Sequence, residues 1–212
     1  MGTFVEPLIL YAVLFFRISI GNPPPGEAVE FSATVEIARV LLYNFPSLAL
    51  VWYLLLKVKS LREWGITFPG KRDILPALTA LPALVLIGLT ISVASRYFTG
   101  ISSGFRLLPP PDIISWGLLF ISCLSTAYLE ESFFRFYLLS KREEMGIGHH
   151  RAVLISTLSF SVCHIYEGPW GFLNAALSGV LLAYVFLRFR SLHGIVFAHA
   201  LYNVLVYALG TV

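Results

Sequence analysis

Apolar stretches of membrane-crossing length follow one another along the whole chain, and they dictate the fold class. A spanning helix needs about 20 mostly apolar residues. Seven such segments are expected, approximately at 3–20, 34–56, 74–95, 113–139, 150–165, 170–188 and 191–210. Inside lipid, every backbone N–H and C=O must be satisfied within its own segment, so each becomes a helix. Composition agrees: of 212 residues, 57% are hydrophobic and only 13% charged, against about 25% charged in an average soluble domain. Mean hydropathy is +0.79. So few charges cannot cover a soluble surface, which excludes a soluble globular domain, a disordered chain and a disulfide scaffold. The expected fold is all-α, a polytopic transmembrane helix bundle of about seven spans. Residues 1–212 read as a single membrane domain without internal repeats.

Charge placement sets an orientation. Ten basic residues fall on alternating loops: Lys57, Lys59, Arg62, Lys71, Arg72, Lys141, Arg142, Arg151, Arg188 and Arg190. The other side holds Arg96 and Arg106, with Arg17 at the end of the first segment. Cytoplasmic loops carry the excess of Lys and Arg, so the N-terminus is expected inside and the C-terminus outside. The net charge of +3 is not gathered into a basic run, so no nucleic-acid partner is expected. The first segment has Glu6 and no basic n-region, so it reads as a retained helix rather than a secretory signal. Cys123 and Cys163 lie inside apolar stretches and form neither a disulfide framework nor a CxxC metal site.

Ionisable groups in a bilayer cost about 2.5–3.5 kcal/mol each on insertion scales, so those that persist mark function. Three clusters stand out. In Glu130-Glu131-Ser132-Phe133-Phe134-Arg135, Glu131 and Arg135 are four apart and share a helix face. They can pair, while Glu130, rotated by about 100° on a regular helix, is left free to face a cavity. In Phe160-Ser161-Val162-Cys163-His164, and again in His199-Ala200-Leu201-Tyr202-Asn203, the outer residues stand one turn apart. A lone intramembrane histidine is ordinarily a packing residue that bonds a neighbouring helix. Two histidines, an asparagine and a free carboxylate on three helices instead point to one convergent site.

Such a set suits hydrolysis. A carboxylate and an imidazole can take a proton from water, and a second histidine with an amide can stabilise an oxyanion. Alternatively, Glu130, His164 and His199 could hold zinc with an open position for water. The absence of HExxH and GxSxG removes the zincin helix and the serine-hydrolase elbow.

The three segments EESFFR, FSVCH and HALYN fit EExxxR, FxxxH and HxxxN. In that order, each on an apolar helix, they resemble the CAAX-protease and bacteriocin-processing (CPBP) intramembrane proteases, which include the type II CAAX prenyl endopeptidases. The likeness extends to Phe136-Tyr137, Ala152–Phe160 and Gly194–Ala198, and covers roughly residues 115–207, the catalytic core helices. It implies an intramembrane endopeptidase in which Glu130 and His164 activate water while His199 and Asn203 stabilise the oxyanion. Glu131 and Arg135 would support the site and Phe160 would line it. The glutamate form, needing no cofactor, is preferred over the zinc form, because Glu131 already has a partner in Arg135. The implied partners are a membrane-associated protein or peptide substrate and the lipid bilayer. Compact members of this kind look bacterial or archaeal, so the expected location is a prokaryotic inner membrane.

Two other classes compete. A proton-coupled transporter would use Glu130, His164 and His199 as titrating groups, but repeats and broken helices are its usual signature. A non-catalytic immunity or scaffold protein would show a degenerate site, whereas every motif position is filled. Other polar residues are read as structural. His193 lies six positions before His199, on nearly the opposite face. His149 and His150 read as loop residues. Cys163 adjoins His164 in sequence without facing it, Glu36 and Arg39 can pair within their helix, and Asn174 belongs to a small-residue packing stretch. Trp52, Trp64, Trp116 and Trp170 form an interfacial belt. One conflict remains in this scheme: the drawn spans put Glu130 in the cytoplasmic half of the membrane and His164 near the outer side. Either the fifth segment is shifted or tilted, or the fourth extends past the membrane.

Overall fold

The computed structural model describes residues 28–57, 59–61, 63–100, 106–142 and 146–209. The expected span at 3–20 lies outside the described residues. Within them the helices are α1 (Ala33–Leu56), α2 (Ile74–Thr99), α3 (Ile113–Ser140), α4 (His149–Val162), α5 (Gly168–Phe189) and α6 (Leu192–Leu209). A two-residue parallel pair, β1 (Ala28–Val29) with β2 (Arg106–Leu107), sets Ala28 opposite Arg106 and Val29 opposite Leu107.

Local chemistry fixes the helix ends. Three prolines, Pro109 to Pro111, keep the chain extended before α3. Asp112 then caps it, its Oδ1 accepting from the backbone N–H of Ile114 at 3.0 Å and Ser115 at 2.9 Å. These bonds favour the ionised side chain and hold the Asp112 carboxyl below its ordinary value. Gly100 closes α2 at φ 69°, where its N–H reaches Arg96 O at 3.0 Å. At the basic end, Ser191 Oγ donates to Asp73 Oδ1 (2.5 Å) and accepts from Gly194 N–H (3.0 Å), tying α6 to the start of α2.

Five segments are long and apolar enough to cross a membrane: Ala33–Leu56, Lys71–Thr99, Ile113–Ser140, Ile165–Phe189 and Leu192–Leu209. The protein is an integral membrane protein. The expected fifth span, 150–165, is not among these five. It is α4, whose 14 residues rise about 21 Å at 1.5 Å per residue, short of the ~30 Å hydrocarbon core. Its run is stopped by the turn Ile165–Glu167 and by Gly168, whose φ of 80° and ψ of −176° suit glycine alone. The chain doubles back there into α5, against which α4 packs. His164 stands just past the end of α4, where the Ile165–Glu167 turn begins.

In lipid, close packing and interhelical hydrogen bonds replace the hydrophobic drive between helices. The small-residue stretch of α5 acts in this way. A Cβ at Gly179 would lie 3.2 Å from Thr157, 3.3 Å from Phe160 and 3.4 Å from Arg135. Gly88 of α2 likewise makes room for the Tyr202 hydroxyl of α6, 2.5 Å from where its Cβ would be. Between α1 and α3, Asn44 Nδ2 donates to Ser125 Oγ (2.7 Å) and Thr126 Oγ1 (2.9 Å). Both helices contain a π segment, Arg39–Asn44 in α1 and Glu131–Tyr137 in α3. The second touches α1, α4, α5 and α6, and all of its residues are buried. It is the hub of the bundle and it begins at the second motif glutamate. Such π turns are frequent at functional sites.

Candidate active site

Burying Arg135 and Glu131 completely, with no side-chain exposure, is tolerable only if their charges meet. Arg135 Nη1 lies 3.2 Å from Glu131 Oε1, the pair that the i, i+4 spacing indicates. The guanidinium carbon also sits 4.1 Å from the centre of the Phe160 ring. A desolvated cation over an aromatic face gains about 2 kcal/mol. Phe160 is thus a seat for Arg135.

His199 is where the structure departs from the simple division of the two carboxylates. Its Nδ1 lies 2.8 Å from Glu131 Oε1, and its Nε2 lies 3.6 Å from Glu130 Oε2. Glu131 therefore serves Arg135 and His199 together, and Glu130 does not face away from this group. One imidazole reaches two adjacent carboxylates because its nitrogens leave opposite edges of the ring. An ionised carboxylate only accepts, so Nδ1 of His199 carries the proton toward Glu131. The ring is held in one orientation with Nε2 turned to Glu130. All of Glu130, Glu131, Arg135 and His199 are buried.

His164 joins this group through Phe160. The ring centroids of Phe160 and His164 are 4.5 Å apart, and those of Phe160 and His199 are 6.2 Å apart. His164 Nδ1 lies 2.9 Å from the Phe160 carbonyl. A carbonyl also only accepts, so Nδ1 donates, and Nε2 is the basic nitrogen of the neutral ring. Ser156 of α4 fixes the adjoining backbone by donating to Phe134 O at 2.6 Å. Asn203 stands one turn beyond His199 on α6 and is half-buried.

The residues read as structural have structural partners. His193 lies 2.8 Å from both Tyr128 OH and Thr67 O. It staples α6 to α3 and to the loop before α2. Arg39 Nη1 donates to both oxygens of Glu36 at 3.0 Å, and Glu36 also accepts from Ser122 Oγ of α3. Asn174 Nδ2 donates to Tyr202 OH at 3.3 Å. Cys163 is fully buried. His149 and His150 are exposed as expected, but they open α4 rather than lie in a loop, and His150 Nδ1 reaches Tyr184 OH at 2.8 Å.

A zinc ion would call on Glu130, His164 and His199. Among the described residues no three His, Cys, Asp or Glu side chains stand together as metal ligands. Nδ1 of His199 and of His164 is held by Glu131 and by the Phe160 carbonyl, and Nε2 of each faces the site.

Glu167 was not singled out by sequence, because it fell in the short connection after the FxxxH motif. It lies on the same turn as His164, half-buried, and is hydrogen-bonded to the Tyr166 side chain.

Residues 112–205 match the family described as type II CAAX prenyl endopeptidase Rce1-like. The matched segment contains Glu130, Glu131, Arg135, Phe160, His164, His199 and Asn203. No curated protein and no solved structure matches the chain.

Proposed function

We propose that this chain, whose residues 112–205 match the type II CAAX prenyl endopeptidase Rce1-like family, is an intramembrane endopeptidase working on a membrane-associated protein or peptide. The observation that carries the reading is the seating of His199 between Glu130 and Glu131, beside the Phe160–His164 pair. It supports a site in which Glu130 accepts a water proton and His199 donates to an oxyanion.

In this mechanism Glu130 takes one proton of the attacking water, while Nε2 of His164 accepts a hydrogen bond from its other hydrogen and orients it. The water oxygen adds to the peptide carbonyl, whose oxygen becomes negative. His199 in its doubly protonated form donates from Nε2 to that oxygen, and the Asn203 amide supplies a second donor. Preorganised donors of this kind are worth about 2.7–4 kcal/mol each in other hydrolases. The proton held by the base then passes to the leaving amine as the C–N bond breaks. Glu131 and Arg135 do not touch substrate; they hold His199 at its angle. Phe160 excludes water from Arg135 and lines the substrate side.

The test is hydrolysis in ¹⁸O-water of a peptide anchored in proteoliposomes, followed by mass spectrometry. One heavy oxygen should enter the new carboxyl group of the product, and Glu130→Gln should abolish it. A product lacking the heavy oxygen, or an unimpaired Glu130→Gln variant, would refute the mechanism.

A further inference from the structure

Hydroxyls on apolar helices can satisfy themselves by bonding back along the helix. Thr79, Thr90 and Thr99 do so, donating to the carbonyls of Leu75, Leu86 and Ser95, and Ser161 donates to Thr157 O at 2.7 Å. Thr157 itself departs from the pattern. It is buried, and its Oγ1 hydrogen-bonds to no group among the described residues. Arg135 is in a similar position. Its Nη1 faces Glu131 Oε1, but its Nε and Nη2 are buried and hydrogen-bond to nothing among the described residues. The Phe160 ring below the guanidinium attracts the charge without offering an oxygen. Glu131 Oε2 is likewise buried without a hydrogen bond.

Arg135 and Thr157 meet at Gly179 of α5. The point where a Cβ would stand there lies 3.4 Å from Arg135 Nη2, 3.2 Å from Thr157 Cγ2 and 3.3 Å from Phe160 Cδ1. The Thr157 hydroxyl branches from the same carbon as Cγ2, so it stands in the neighbourhood of the guanidinium without bonding to it directly. Gly179 admits both side chains, which a methyl group would crowd.

We propose that a buried water molecule binds between Arg135 and Thr157, accepting from the guanidinium and sharing a hydrogen bond with the Thr157 hydroxyl. Buried waters make about three hydrogen bonds, to polar groups that would otherwise have none. The charges select water over an ion. A chloride would add a negative charge beside Glu131, and a metal cation would be repelled by Arg135. A neutral molecule that both accepts and donates suits the Arg135 N–H groups and the Thr157 hydroxyl together. Phe160 closes Arg135 off from bulk solvent, so this water is enclosed and exchanges slowly. By completing the hydrogen bonding of Arg135 it steadies the partner of Glu131, the carboxylate that orients His199. The proposal stands apart from the peptidase reading, and its test needs no activity.

The experiment compares wild type with Thr157→Val, which removes the hydroxyl and nearly keeps the shape. Replacing an idle buried hydroxyl by an apolar group would leave Tm unchanged or raise it. Removing one that anchors a water should lower Tm by about 2–4 °C. A high-resolution crystal structure supplies the direct readout. A water peak is expected about 2.7–3.2 Å from Thr157 Oγ1 and from Arg135 Nε or Nη2, and it should weaken or vanish in Thr157→Val. No peak in the wild type, an undiminished peak in Thr157→Val, or a Tm that does not fall would overturn the proposal. So would an anomalous peak at that position in crystals soaked in bromide, which would make the occupant an anion.

Discussion

Removing the cation from the hub of the bundle is the most informative single perturbation. Arg135 and Glu131 are both completely buried, and 3.2 Å separates Arg135 Nη1 from Glu131 Oε1. Arg135→Met keeps most of the side-chain volume but leaves the Glu131 carboxylate facing only His199. Deleting one member of a buried ion pair costs about 3–5 kcal/mol, because the other charge stays in low dielectric without its partner. The lost contact with the Phe160 face, 4.1 Å from the guanidinium carbon, falls within that figure and is not added to it. Glu131→Gln should cost a similar amount by stranding Arg135. The double variant, Glu131→Gln with Arg135→Met, removes both charges and should cost clearly less than the two singles together. The expected coupling is about 2–3 kcal/mol. The assay is reversible unfolding in mixed micelles, followed by tryptophan fluorescence. An Arg135→Met variant within about 1 kcal/mol of wild type, or strict additivity in the double variant, would refute the claim that this pair organises the hub.

Other outcomes follow from the same contacts. Gly194→Ala should destabilise by about 1–3 kcal/mol through overpacking, since its Cβ would lie 2.6 Å from Pro76 Cγ and 2.7 Å from the Asp73 carbonyl. Gly117→Ala, with nothing within 4 Å of its Cβ, should instead stabilise α3 by about 1 kcal/mol; thermal unfolding of the two variants checks the contrast. The Asp112 carboxyl is held below its ordinary value by its capping bonds, so its stabilising effect is complete above the unfolded value. That effect should fade as pH falls below about 4. A wild-type minus Asp112→Asn difference in melting temperature that shrinks with acid is the expected sign, and one that grows would contradict it.

The sequence carries the long spans and the motif residues openly, because lipid demands uninterrupted apolar helices and makes each buried charge conspicuous. The length of α4 was not legible. Its apolar run looks like a span with a tight exit, and Gly168 at positive φ shows where the chain turns back into α5. The sharing of Glu131 was hidden for a different reason. Spacing along α3 reveals Arg135 as a partner, but nothing in α3 tells that His199 of α6 will take the same oxygen. The π turn at Glu131–Tyr137 leaves no mark in composition either, since Glu131 and Arg135 can pair with or without it.

The most direct test of the central claim is cleavage of a mixed peptide library by the purified protein in detergent, beside Glu130→Ala, with and without a strong chelator. The account predicts cleavage by the wild type that survives chelation and disappears in Glu130→Ala. Cleavage that is lost to the chelator and restored by zinc, or that persists in Glu130→Ala, would contradict it.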